Sequence, residues 1–151
     1  SHGHRSHRMR FFALKNDIEH YKFPVAEYLT NYLEGITTQE KPFDYIKEKE
    51  IFDKTFKIIN LNLGDSAFSS ITKAKNIKND FVTYLFDGIS IAIANLVDRI
   101  AVDKKNVKIE EKVYDIKIGS ELQSYKTGTM SSLNKRIELF KEGVENVIDE
   151  R

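Results

Sequence analysis

Apolar residues recur along this chain at alternating steps of three and four, the spacing that gathers side chains on one face of an α-helix. The clearest run is Val82, Leu85, Phe86, Ile89, Ile93, Leu96, Val97 and Ile100, widened by Ala92 and Ala94. It predicts a central, buried helix with Asn79 or Asp80 as its N-cap. Phe52, Phe56, Ile59 and Leu63 stripe a helix over 44–63, whose opposite face carries Lys47, Glu48, Lys49, Glu50, Asp53 and Lys57. Leu133, Ile137, Phe140, Val144 and Val147 stripe a last helix from Ser131 or Ser132 to Asp149. Shorter helices are predicted over 10–21, through Phe11, Leu14 and Ile18, and over 24–33, through Val25, Tyr28, Leu29 and Tyr32. Over 107–125, Ile109, Val113 and Ile116 fit a helix, while Ile116 and Ile118 also alternate as a strand would; helix is the favoured reading.

Turn residues separate these segments. Pro24 sits where a helix start tolerates its missing N–H, and Gly35 reads as a C-terminal stop. Residues 37–42 are polar and read as a loop. Gly64 suits a left-handed helix stop, after which Asp65 to Phe68 can add one turn and return the Phe68 ring to the core. Residues 69–79 form a polar, basic loop, and 103–106 and 126–129 read as turns, the latter reversing the chain through Thr127, Gly128 and Thr129. Ser132 with Lys135 is not a capping box, because the third position lacks Glu or Gln. No period of 20–50 residues repeats. The expectation is an all-α fold, a multi-helix bundle of about six helices in roughly two layers.

Composition narrows the class further. The chain's 151 residues suit one domain with a real core. Residues 1–8 hold three of the four histidines, His2, His4 and His7, and read as an expression-tag remnant. That leaves residues 9–151 as a single helical domain. Because 10–14 already look mid-helical and uncapped, it is expected to be a fragment of a larger protein. Setting the tag aside removes Arg5 and Arg8 and takes the formal charge from +1 to −1, so no global charge argues for nucleic acid. The absence of Cys excludes disulfides, thiolate metal sites and Cys nucleophiles and fits a cytoplasmic setting. No apolar run approaches the ~20 residues that span a bilayer.

Candidate chemistry is sparse. His20 is the only histidine after the tag and is expected at the surface near a helix end. There is no G-x-S-x-G elbow, no H-E-x-x-H, no phosphate loop and no G-x-G-x-x-G. The Arg-to-His spacing of helical HEPN ribonucleases is also absent after the tag. The expectation is no enzyme in this segment, no cofactor and no metal. Asp87, followed by Gly88, is either buried and functional or, as favoured, a polar residue at the edge of the apolar stripe. Asp98 and Arg99 are expected in surface or interhelical ion pairs. The candidate DNA contacts are Lys73, Lys75 and Lys78, accompanied by Asn76 and Asn79, with Arg136 as a further phosphate ligand. A solvated loop, and an ordinary ion pair for Arg136, are the simpler readings of the same residues. Lys104, Lys105 and Lys108 form a second small cluster.

Several segments, in order, resemble the helical C-terminal part of the ParB-like GmrS portion of the GmrSD-type restriction family. They are Arg10-Phe11-Phe12-Ala13-Leu14 with Tyr21-Lys22, Val25 and Leu29 to Tyr32; Phe56 to Phe68 with Leu63-Gly64 and Ala67-Phe68; Asn79 with Leu85-Phe86-Asp87 and Ile89; and Thr127-Gly128-Thr129 followed by Arg136-Ile137. The resemblance covers nearly all of residues 10–148. It implies an accessory helical domain of a phage-defence, modification-dependent DNA-restriction protein, serving interdomain packing, assembly or DNA positioning. The partners it implies are other domains of a longer parent chain and, weakly, DNA. That family's nucleotide-linked Asp-Gly-Gln-Gln-Arg-like motif and its HNH histidines are both missing here. Asp87-Gly88-Ile89-Ser90 begins like the former but lacks its Gln and Arg. The alternative is a stand-alone helical protein-interaction domain unrelated to DNA.

Overall fold

The computed structural model describes the backbone of residues 2–149 and the side chains of residues 7–149. Among the described residues seven α-helices follow one another: α1 (His2–Asp17), α2 (Val25–Thr37), α3 (Tyr45–Leu63), α4 (Thr83–Asn95), α5 (Val107–Ile118), α6 (Ser120–Gln123) and α7 (Met130–Ile148). Short 3-10 turns sit at Ile18–His20, Gly64–Ser66 and Val97–Arg99. Among the described residues the only β pairing is an isolated antiparallel bridge, Ile71 to Ile77. The fold is all-α, as the stripes predict. No helix among the described residues is long and apolar enough to cross a membrane. The chain divides into two compact units, Ser1–Ile51 and Phe52–Arg151.

In the first unit, α1 runs back into the segment read as a tag remnant; the side chains of residues 1–6, including His2 and His4, lie outside the described residues. Phe11, Phe12, Ala13 and Leu14 are all buried, more of the helix surface than a single stripe covers. Edge-on ring contacts link Phe12 to Phe43 at 5.1 Å and Tyr21 to Tyr28 at 5.4 Å. Pro24 is the N-cap of α2. Gly35 does not stop that helix: it is buried inside it, and α2 continues to Thr37. A Cβ on Gly35 would meet the Lys41 stem at 2.7 Å, so the glycine is there to let that side chain cross the helix. Asp44 caps α3, its carboxylate accepting the Lys47 N–H at 3.1 Å.

In the second unit the core is built around α4, in which every residue from Leu85 to Ala94 is buried. This helix packs on α7, and α7 in turn packs on α5. Gly88 permits the first approach, since a Cβ there would lie 3.0 Å from the Phe140 ring. The expected cap of α4 is corrected. The helix begins at Thr83 after an extended Val82, and no side chain caps it. The predicted 107–125 helix is interrupted at Gly119, whose extended backbone ends α5 and begins α6. Gly64 is left-handed (φ +68°), as expected for a helix stop. Phe68 returns to the core, 5.1 Å from the Phe86 ring. Thr129 caps α7, its hydroxyl accepting the Ser132 N–H at 3.1 Å. Arg99 pairs with Glu145 on α7 (2.8 Å) and with Asp149 at that helix's C-cap (2.6 Å), an ion pair between elements of the kind expected for it.

Candidate binding groove and lysine loop

The loop of 69–82 is basic as expected, but it is held far more firmly than a solvated connector. Lys78 N–H donates to the Ser70 carbonyl at 2.9 Å, and Thr72 N–H to the Asn76 carbonyl at 2.8 Å. Lys75 closes the tip by donating its N–H to the Thr72 carbonyl at 2.8 Å, with its own backbone left-handed (φ +67°). The base is fastened by Asp80, whose carboxylate accepts the Ser70 N–H (2.9 Å) and hydroxyl (2.6 Å). Those two bonds hold the Asp80 carboxyl below the usual range. This is where Asp80 is used, in place of the helix cap expected of it. Tyr114 of α5 donates its hydroxyl to the Lys75 carbonyl at 3.2 Å, fixing the tip to the helix. Lys73, Lys75 and Lys78 are all exposed on this frame.

Beneath the loop lies a groove of about 450 Å³. Its apolar lining includes Leu63, Ala67, Ile77 and Val113, and its α5 wall carries Glu110, Glu111 and Asp115. Lys117 also lines it, and its ammonium donates to three carbonyls, Ser66 (3.2 Å), Ala67 (2.8 Å) and Ser69 (2.9 Å). Three donors meet three acceptors, so the side chain clamps the turn after α3 to α5. Burial pushes the Lys117 ammonium down to about 8, against the pull of the Asp80 charge. An unfolded lysine titrates near ~10.4. Between those two values the unfolded chain binds the extra proton, so stability rises with pH across that window. Relative to Lys117→Met, the wild type is expected to gain on the order of 2 kcal/mol between pH 7.5 and 9.5, read by urea denaturation. Parallel pH profiles for the two proteins would show that Lys117 keeps its ordinary affinity for a proton.

The structure takes Arg136 out of any surface contact. It is 2% exposed, and its Nη1 donates to the carbonyls of Tyr125 (2.5 Å) and Thr127 (2.9 Å). The guanidinium thus holds the link between α6 and α7, where no phosphate reaches it. Asp87 is likewise 1% exposed, which replaces the favoured reading of an edge position. Lys105 of the second lysine cluster pairs with Glu110 at 3.2 Å.

The first unit has its own polar cluster, which the sequence does not announce. Asp17 is buried at the end of α1, and its carboxylate takes His20 Nδ1 at 2.5 Å and Lys41 Nζ at 2.6 Å. Burial works to raise the Asp17 carboxyl, but the bonds from Lys41 and His20 outweigh it and hold the group low. Tyr28 donates its hydroxyl to the Asp17 carbonyl at 2.9 Å. His20 lies at the surface near a helix end, as expected. Asp17, Glu19 and His20 bring metal-ligating atom types within 4.8 Å of one another. Both Asp17 oxygens are already engaged, however, so the group acts as a clamp on the 38–44 connection. A charged residue at position 17, where the Ala13 and Leu14 face would continue, is the one sequence signal for it. The same signal marks Lys117, four residues after Val113 on the Ile109 stripe.

No family model, curated protein or solved structure matches this chain.

Proposed function

We propose that this chain is a helical interaction module, acting by contact rather than by chemistry, and that the lysine loop is its phosphate-contacting edge. The reading extends the GmrSD-like resemblance: an accessory region of a DNA-restriction protein, positioning DNA beside domains that carry the chemistry. The observation that supports it best is the construction of the loop. Three exposed lysines stand on a turn fixed by backbone bonds, by Asp80 and by Tyr114. A rigid cationic edge loses little freedom on meeting a phosphate backbone. Phosphate contacts of this kind position a protein without reading sequence. The carboxylates Glu110, Glu111 and Asp115 oppose entry of a polyanion into the groove itself, so the contact is confined to the lysines. Binding is therefore weak and indifferent to sequence. The parent chain of such a region carries an adjoining ParB-like portion and an HNH portion. The alternative, a stand-alone protein-interaction domain, has neither neighbour.

The test is a map of amide chemical shifts on adding a short DNA duplex at low salt. Shifts are expected to centre on 72–79. A footprint elsewhere, or none, would remove the loop from the interface.

A further inference from the structure

We propose that the groove beneath the lysine loop is a self-association site, and that its occupant is the same loop of a second copy of this chain. The groove sets two requirements. Its floor, formed by Leu63, Ala67 and Val113, asks for an apolar side chain. Its wall, with exposed Glu111 and Asp115 beside a Glu110 that Lys105 already pairs at 3.2 Å, asks for cations on either side of it. Lys117 does not meet that demand from within, because its three donors are bound to backbone carbonyls. Lys112, on the same helix, lies elsewhere, with its stem against Gly143 of α7.

Two exposed segments carry an apolar residue between lysines; in Lys105-Asn106-Val107-Lys108 the first lysine is already paired with Glu110 of its own chain, which leaves the lysine loop as the occupant. In Lys75-Asn76-Ile77-Lys78, an isoleucine stands between two lysines, with Lys73 just before them. Ile77 is 57% exposed although it borders the groove of its own chain. The loop is already fixed in its folded form, so docking it orders little new backbone. Because loop and groove adjoin on one face of the second unit, a two-fold axis beside them makes each contact twice. Each copy then sets its three lysines against the acidic wall of the other, chiefly Glu111 and Asp115. Such self-complementary pairing is the commonest symmetry of soluble oligomers. Attraction between opposed charges of this kind weakens with salt.

This inference does not depend on the phosphate reading, although both use the same lysines. The experiment is sedimentation equilibrium on the full chain. Its samples are the wild type, a loop variant (Lys73→Glu, Lys75→Glu, Lys78→Glu), a wall variant (Glu110→Lys, Glu111→Lys, Asp115→Lys) and their equimolar mixture. The wild type is expected to dimerise reversibly, less so with added salt. Each variant alone is expected to stay monomeric at concentrations where the wild type pairs. The mixture is expected to dimerise, because exchanging both signs restores attraction at both contacts. A milder variant, Ile77→Ser at an exposed position, should weaken pairing about 10-fold while leaving the helical spectrum intact. A monomeric wild type at about 1 mM in low salt, variants that pair like the wild type, or a mixture that stays monomeric would each overturn the proposal. The wall variant separates the two readings. It retains every lysine of the loop, so it keeps duplex binding while losing self-association.

Discussion

Ile93→Asp is expected to abolish cooperative folding of the second unit. Ile93 is 2% exposed in the last turn of α4, inside a run of ten buried residues, so no rotation of the helix brings this position to water. The carboxylate must either be protonated in the core or draw α4 away from α7. Desolvating it unpaired, together with the lost isoleucine contacts, costs roughly 4 kcal/mol or more, a large share of what a small domain holds in reserve. Thermal melts followed by circular dichroism provide the readout. The expected result is loss of the transition, or a midpoint lowered by tens of degrees, while Ile93→Val costs only about 1 kcal/mol. A near-wild-type midpoint for Ile93→Asp would mean that α4 is not the centre of the core.

Arg136→Met is expected to have the next largest effect, although in the sequence position 136 reads as a phosphate contact or, more simply, an interhelical or surface ion pair. The substitution keeps much of the side chain's length and removes the donors that hold the Tyr125 and Thr127 carbonyls. Leaving two acceptors unsatisfied at a site with 2% exposure costs about 2–4 kcal/mol. The loss is local before it is global. Amide exchange in the link between α6 and α7 should accelerate first, including at Ser132, whose N–H the Thr129 cap holds. Arg136→Lys should recover part of the stability, since an ammonium can reach one carbonyl but lacks the planar fork. Unchanged stability and exchange in Arg136→Met would place the guanidinium outside the core.

These two residues mark what a sequence makes legible in an all-α chain. Ile93 is readable because burial on a helix leaves a period, and every striped helix is present. The boundaries were harder, since caps depend on partners remote in sequence. Asp80 had the right chemistry to cap α4, but the Ser70 amide and hydroxyl, across the lysine loop, claim it instead. Gly35 had the right identity to end α2, yet it serves the passage of Lys41. Polar side chains turned inward were the least visible, because their acceptors are backbone carbonyls that no pattern of residue types records. Arg136 and Lys117 are both of this kind. Of the proposed contacts, the lysines of the 69–82 loop were readable as a cluster. The frame that makes them a fixed edge, and the acidic groove under them, required the fold.

The most direct test of the proposed function is the salt dependence of duplex binding by the whole chain. With Arg136 buried, three lysines remain, and releasing about one counterion at each gives a slope of roughly −3 in log affinity against log salt. Wild type is expected to bind a duplex of arbitrary sequence at low salt, with that slope, and poorly at physiological salt. The triple variant Lys73→Ala, Lys75→Ala, Lys78→Ala is expected to lose most of the affinity and nearly all of the slope. Equal affinity and equal slope in the two proteins would contradict the account and place the phosphate contact elsewhere on the chain.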